Sequence, residues 1–363
     1  MVDISAALHP TFASQEIKVI DTNTGLARDL FGRRYLPGFV GLNNLHKTDY
    51  VNATIQALAQ VRPLRDFFLQ LTHKDIFLPS KSKKKNKPPH RISHLVECFG
   101  ELIRKMWSDK RFKSHVDPHM LIQAITVNSK KRFRVGAQAE AGEFMAWLLN
   151  QLHLGLGGTR KPNSSIIYEV FQGKVQVTTR QRKVREASKD AIQKEEDGKD
   201  EVGKVETVED REMEDAEDKT VSKSEPVESL IEETTSDTNF LQLTLEIPEK
   251  PLFRDDDGGL VIPQEPLVSV LKKFDGVTFS DALSRSGAAQ RKRYRLLELP
   301  NYLILHLARF KTNRYSREKN PTIVAFPVKN LDLGSYVFPE NGKKAPPTED
   351  DVKSMSVSIM ECK

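Results

Sequence analysis

Cysteine is almost absent from this sequence. Only Cys98 and Cys362 occur, which excludes a disulfide framework and a four-thiolate zinc site and fits a reducing compartment. Long apolar runs are missing as well. No stretch approaches the roughly 20 apolar residues a membrane-spanning helix needs, and the opening MVDISAALHPTFASQ has neither the basic flank nor the apolar core of a secretory leader. We read a soluble intracellular protein with no membrane contact and no cofactor or metal site. Aromatics make up 7% of the 363 residues and hydrophobic residues 38%, so part of the chain is expected to stay outside any packed core. Neither charge sign dominates: 56 Lys and Arg stand against 50 Asp and Glu. The map of charge therefore says more than its sum.

Residues 1–37 read as an N-terminal connector that ends at Pro37 and Gly38. Between Pro79 and Pro89, Lys81, Lys83, Lys84, Lys85 and Lys87 crowd together. A solvated loop is the plain reading of that run and a nuclear-import signal the sharper one, while the lack of interleaved aromatics argues against a specific nucleic-acid surface. From 180 to 237 the chain is dense in Glu, Asp and Lys and nearly free of aromatics. Such a segment cannot bury enough apolar area to offset its chain entropy, so it is expected to be a disordered insertion.

On either side of the insertion the periodicity changes. Leu95, Phe99, Leu102, Ile103 and Met106 fall on one helical stripe, and Cys98 beside them reads as a small core hydrophobe with nothing nearby to favour a thiolate. A second helix is predicted from about Ala139, with Phe144, Trp147, Leu148 and Leu152 on one face, ending at the glycines of GLGG. IIYEVFQGKVQVTT turns β-branched and predicts a strand pair. Further strands are predicted at FLQLTLEI, where Leu241, Leu243, Leu245 and Ile247 alternate, at YLILHLARF (302–310) and at TIVAFPV. Helices first and strands later predict an α+β domain. Its helical part would span 38–179 and its β-rich part 238–340, followed by a tail, 341–363.

The most informative stretch is GLNNLHKTDYVNATIQAL, residues 41–58. It reads as the start of an enzyme with the reactive atom removed: a helix begins near Thr48 and Asp49, as the spacing of Val51, Ile55 and Leu58 requires, yet a carboxylate stands where a thiol is often placed. Thr48 or Asp49 is expected to cap that helix, a contribution of about 1 kcal/mol.

These residues resemble the signature that opens the catalytic domain of ubiquitin-specific proteases, Gly-Leu-x-Asn-Leu-Gly-Asn-Thr-Cys-Tyr-x-Asn. Gly41, Leu42, Asn44, Leu45, Thr48, Tyr50 and Asn52 match, as do Gln56 and Leu58 beyond; His46, Lys47 and Asp49 depart. QAEAGEF (138–144) is similar to the family's Gln-Gln-Asp-Ala-x-Glu-Phe box, and LILHLARF to its Leu-Lys-Arg-Phe strand. With YLPGFVGLNN, VFQGKV, IPQEPLVSVLKKFDGVTF and EKNPTIVAFPVKNLDL, the likeness narrows to the inactive, spliceosomal, tri-snRNP-associated branch of the family.

The resemblance implies a papain-like α+β fold, a helical thumb with an antiparallel β palm and fingers, cut short at its C-terminal end. It implies a nuclear protein acting in pre-mRNA splicing, with tri-snRNP proteins as partners, ubiquitin as a further candidate and RNA only indirectly. It puts Asp49 on the nucleophile position and Asn44 on the oxyanion-stabilising one, where Asn44 would survive as a structural hydrogen-bond donor. A carboxylate is a poor amide nucleophile. The family's general-base histidine belongs to a late segment, whereas the last histidine here is His306, so base and closing strands are expected to be missing, as is the N-terminal zinc finger of the resembling branch. A pseudo-protease is therefore expected. A ubiquitin-binding module without catalysis and a cysteine-type deubiquitinase are the alternatives, and a thiol-trapping ubiquitin probe separates them.

Overall fold

The computed structural model describes residues 4–71, 77–78, 90–183, 230–249, 253–254, 260–284, 288–312 and 316–337. The lysine run at 81–87, the middle of the predicted insertion and the tail 341–363 lie outside the described residues. Two compact units are present: one comprises 1–177, 237–278 and 293–363, the other 178–236 and 279–292.

The first unit holds nine helices among the described residues: α1 Ile4–Leu8, α2 Ser14–Val19, α3 Asp49–Ala59, α4 Arg62–Gln70, α5 His94–Trp107, α6 His119–Asn128, α7 Ala141–Gly155, α8 Ile166–Phe171 and α9 Leu267–Leu271. The predicted stripes lie on the buried faces of α3, α5 and α7, with Trp147 partly buried. In α5, Leu95, Phe99, Leu102, Ile103 and Met106 are all buried, and the helix starts where Ser93 Oγ accepts from Val96 N, relieving one unpaired amide of the first turn. Helix α5 packs on α4, α6 and α7, and α3 packs on α7. Cys98 is buried in this core. Burial, then Glu101 and Glu97, pushes its thiol up to about 11, although the His94 imidazole lies against it, Nε2 to Sγ at 3.5 Å, a neighbour the sequence reading does not name.

A second core gathers Leu243, Leu245 and Ile247 with Val270, Leu271, Phe274, Leu296 and Val324. Here the strand Leu243–Glu246 pairs in parallel with Leu305–Ala308, and Gln264–Pro266 in parallel with Ile323–Ala325. Phe310–Thr312 pairs antiparallel with Arg317–Lys319. The palm is therefore a mixed set of sheets. A four-stranded sheet runs Asp275–Leu283, Ala289–Glu298, Gly173–Lys183, Leu230–Phe240 in spatial order.

Several expectations need correction. IIYEVF is helix α8, not a strand: Ser165 caps it by accepting from Tyr168 N, and Ile167, Val170 and Phe171 bury one face, so tertiary packing overrides β-branched propensity. The predicted insertion is too wide, because 180–183 and 230–237 belong to strands. Within the second unit Arg180 pairs with Glu233 at 2.8 Å and lies 4.2 Å over the Phe279 ring; cross-strand charge pairs let a polar sequence form a ladder. YLILHLARF breaks at Arg309, whose guanidinium turns to the carbonyl oxygens of Thr322 (2.6 Å) and Asn320 (3.2 Å).

The N-terminal 37 residues are also more than a connector. Ile17 and Tyr35 enter the main core, and Asp21 reaches Arg65 of α4, Nη1 to Oδ1 at 2.6 Å. Arg65 is 2% exposed, bonds Asp66 Oδ1 through Nε at 2.7 Å and stacks 4.6 Å over Trp107. Its hydrogen bond holds Asp21 below the ordinary carboxylate value against the opposing effect of burial. Arg65→Ala is expected to lower the unfolding free energy by about 3 kcal/mol, near the low end for breaking a buried pair because both carboxylates can rehydrate. Since Asp21 is depressed in the folded state, its contribution is whole above about pH 4 and is lost as the pH falls through the depressed value. Urea titrations at pH 7 and pH 3 should therefore show a smaller gap between wild type and variant at the lower pH.

Candidate functional site

The loop 40–48 ahead of α3 is held on both sides. Leu42 bridges to Val116, with Asn43 N donating to Val116 O at 3.0 Å and Val116 N to Gly41 O at 2.9 Å. From α3 and its C-cap, the side chains at every fourth residue supply donors to carbonyls of the segment 38–43: Asn52 Nδ2 to Asn43 O (3.0 Å), Gln56 Nε2 to Val40 O (2.6 Å) and Gln60 Nε2 to Gly38 O (2.8 Å). Spacing by four places all three on one helix face. The signature residues Asn52 and Gln56 are thus the struts of this loop.

At its end the loop turns through two left-handed residues, His46 (φ 71°) and Lys47 (φ 55°). The resembling pattern has glycine and asparagine there, the residues that adopt this backbone most readily. His46→Gly is expected to stabilise the protein by about 1 kcal/mol, the relief at φ outweighing the added freedom of the unfolded chain; a thermal melt no higher than wild type would contradict this.

Thr48 stands at the N-cap of α3 but does not cap it with its side chain, and neither does Asp49. This corrects the expected cap. Thr48 Oγ1 accepts from Leu45 N at 3.0 Å and donates to Asn44 Oδ1 at 3.1 Å, and Thr48 N donates to the same Asn44 oxygen at 3.1 Å. Asn44 therefore serves the loop as an acceptor, not as the structural donor expected. Its NH2 group makes no hydrogen bond with the described residues, and Asn44 is exposed.

Asp49 is the first residue of α3 and is exposed. Its Oδ2 accepts from Gln138 Nε2 at 3.2 Å, and the helix N-terminus favours its negative charge. Gln138 opens the QAEAGEF box, so the structure brings the two predicted motifs together. Two residues on, Glu140 Oε1 meets His306 Nε2 at 2.8 Å, a pair that inspection of the sequence missed. The signal for it is Gly142: a Cβ there would sit 2.3 Å from the His306 ring, so glycine at the start of α7 makes room for the imidazole. Beneath the site Tyr50, Phe133 and Phe144 form an aromatic cluster.

Among the described residues no histidine bonds Asp49. His306 is engaged by Glu140, and His153 is buried between Ser165 Oγ (2.7 Å) and the Thr159 carbonyl (3.1 Å), where burial lowers its pKa. The arrangement offers a carboxylate at a helix N-terminus, one spare amide donor and a Gln–Glu–His edge, but no thiol.

A family profile described as ubiquitin carboxyl-terminal hydrolase matches residues 40–350. The chain is 38% identical over 339 residues to mouse ubiquitin carboxyl-terminal hydrolase 39, covering 93% of this chain and 53% of the relative. It is 36% identical over 339 residues to the probable mRNA-splicing protein ubp10 of Schizosaccharomyces pombe, covering 92% of this chain and 57% of the relative. This chain spans about half the length of the curated relatives it matches. Among solved structures, that of an essential yeast splicing factor shares the fold with a TM-score of 0.56 at 20% identity, over 91% of this chain and 62% of that chain.

Proposed function

This chain belongs to the ubiquitin carboxyl-terminal hydrolase family, and we propose that it uses the family fold as a non-catalytic scaffold in pre-mRNA splicing in the nucleus, held among tri-snRNP proteins. The observation that carries this reading is Asp49. It occupies the start of α3, the position that matches the family's nucleophilic cysteine, in a loop whose other signature residues are kept for support. Acyl transfer needs a nucleophile with an adjacent base. Here the carboxylate is bonded to Gln138, and among the described residues no imidazole bonds it.

The splicing assignment is supported by the Schizosaccharomyces pombe relative described as a probable mRNA-splicing protein, matched along 92% of this chain. Glycerol-gradient sedimentation of nuclear extract tests it: the protein is expected to co-sediment with the small nuclear RNAs of the tri-snRNP. Sedimentation as a free monomer, with none in those fractions, would overturn it.

A further inference from the structure

We propose that the hairpin preceding the signature is a docking surface for an acidic peptide segment of a partner protein that also carries apolar side chains. Its two short strands, Ala27–Arg28 and Arg34–Tyr35, pair with Ala27 opposite Tyr35 and Arg28 opposite Arg34. Directly opposed residues share a face. Tyr35 is buried with Arg111 stacked 4.8 Å over its ring, so the Ala27–Tyr35 face is the inner one and the arginine pair lies on the outer one.

Like charges placed directly opposite each other destabilise a hairpin, and Arg33 adds a third cation beside them. Arg28, Arg33 and Arg34 are exposed and make no ion pair with the described residues. The hairpin's own carboxylate, Asp29, is already committed: Oδ1 accepts from Phe31 N (3.0 Å) and Arg33 N (2.8 Å), and Oδ2 from Ser114 N (3.0 Å). These bonds, with Asp29 N to Arg33 O and Gly32 N to Asp29 O, both 3.0 Å, fix the tip, where Gly32 takes φ 77° with open space around it.

That fixed tip holds large apolar side chains in water: Phe31 is 70% exposed, Leu30 56% and Leu26, at the base, 58%. A loop tip normally carries small polar residues. A rigid turn displaying leucine and phenylalanine between unneutralised arginines is complementary to a segment that mixes carboxylates with apolar residues. Two of the three apolar groups are aliphatic, which favours such a peptide over stacked RNA bases.

Fluorescence anisotropy on the full chain tests this, using a short labelled peptide of alternating glutamate and leucine with one tryptophan, and its glutamine counterpart as control. Binding of the acidic peptide is expected, weakening with salt and falling about tenfold in Arg33→Glu/Arg34→Glu and again in Phe31→Ser. An Arg28→Glu variant, on the same outer face, should repeat the charge effect. Equal binding of both peptides, no binding, or binding indifferent to these substitutions would overturn the proposal. So would tighter binding of single-stranded RNA that the same variants abolish, or a dimer in sedimentation that Phe31→Ser dissolves.

Discussion

Phe144→Ala is expected to destabilise the protein by about 4 kcal/mol, within the range for removing a buried phenylalanine ring from a core that collapses only in part. Phe144 is fully buried. Its ring meets Tyr50 edge-on at 5.4 Å, Phe133 at 5.2 Å and Trp147 at 6.0 Å, so its loss removes three aromatic contacts as well as the buried area. Tyr50 is the second residue of α3 and Phe144 lies in the first turn of α7, so this cluster fastens the signature helix to the helix behind Gln138. The variant should therefore also loosen the Asp49–Gln138 contact, seen as faster amide exchange at residues 44–50. Phe144→Leu, which keeps most of the volume, should cost about 1.5 kcal/mol. A loss below about 1 kcal/mol for the alanine variant would show that the cluster does not hold the two motifs together.

The helical half of this arrangement was legible in the sequence because its physics is local. Apolar residues recurring every three or four positions name the buried faces of α3, α5 and α7, and the structure buries them. The signature was legible as a pattern, and so was the position of Asp49. The parts that were not legible depend on contacts distant in sequence. Thr48 or Asp49 was expected to cap α3, but the Thr48 hydroxyl is taken by Leu45 N and Asn44 and the Asp49 carboxylate by Gln138. His306 reaches Glu140 across more than a hundred residues, and only the missing side chain of Gly142 hints at it. Arg180 and Glu233 turn two charge-rich stretches into paired strands, although composition alone reads both as unable to pack. Ile17, Asp21 and Tyr35 bind the first 37 residues to the core through partners that no local periodicity could reveal.

Asp49→Cys is the second large effect, and here the expected result is the failure of an apparent repair. The new thiol would stand exposed at the start of α3, where the helix N-terminus favours a thiolate. It should be alkylated by iodoacetamide far faster than Cys98, which is buried with its pKa pushed up to about 11. Reactivity toward an alkylating agent is not turnover. Amide hydrolysis also needs a positioned base that takes and returns a proton, a contribution of roughly 100- to 10,000-fold. Among the described residues no imidazole bonds position 49, and His306 is held by Glu140. The variant is therefore expected to release a fluorophore from the C-terminus of ubiquitin at least about 1,000-fold more slowly than an active member of the family. Turnover within about tenfold of such an enzyme would show that a base reaches this site.

The most direct measurement leaves the chain unaltered: prolonged incubation of the wild-type protein with isopeptide-linked ubiquitin chains, followed by quantitation of free ubiquitin. A scaffold with a carboxylate at the head of α3 should release no more than buffer does. Cleavage above that background, abolished by Asp49→Asn or by Cys98→Ser, would make this domain an enzyme and contradict the account.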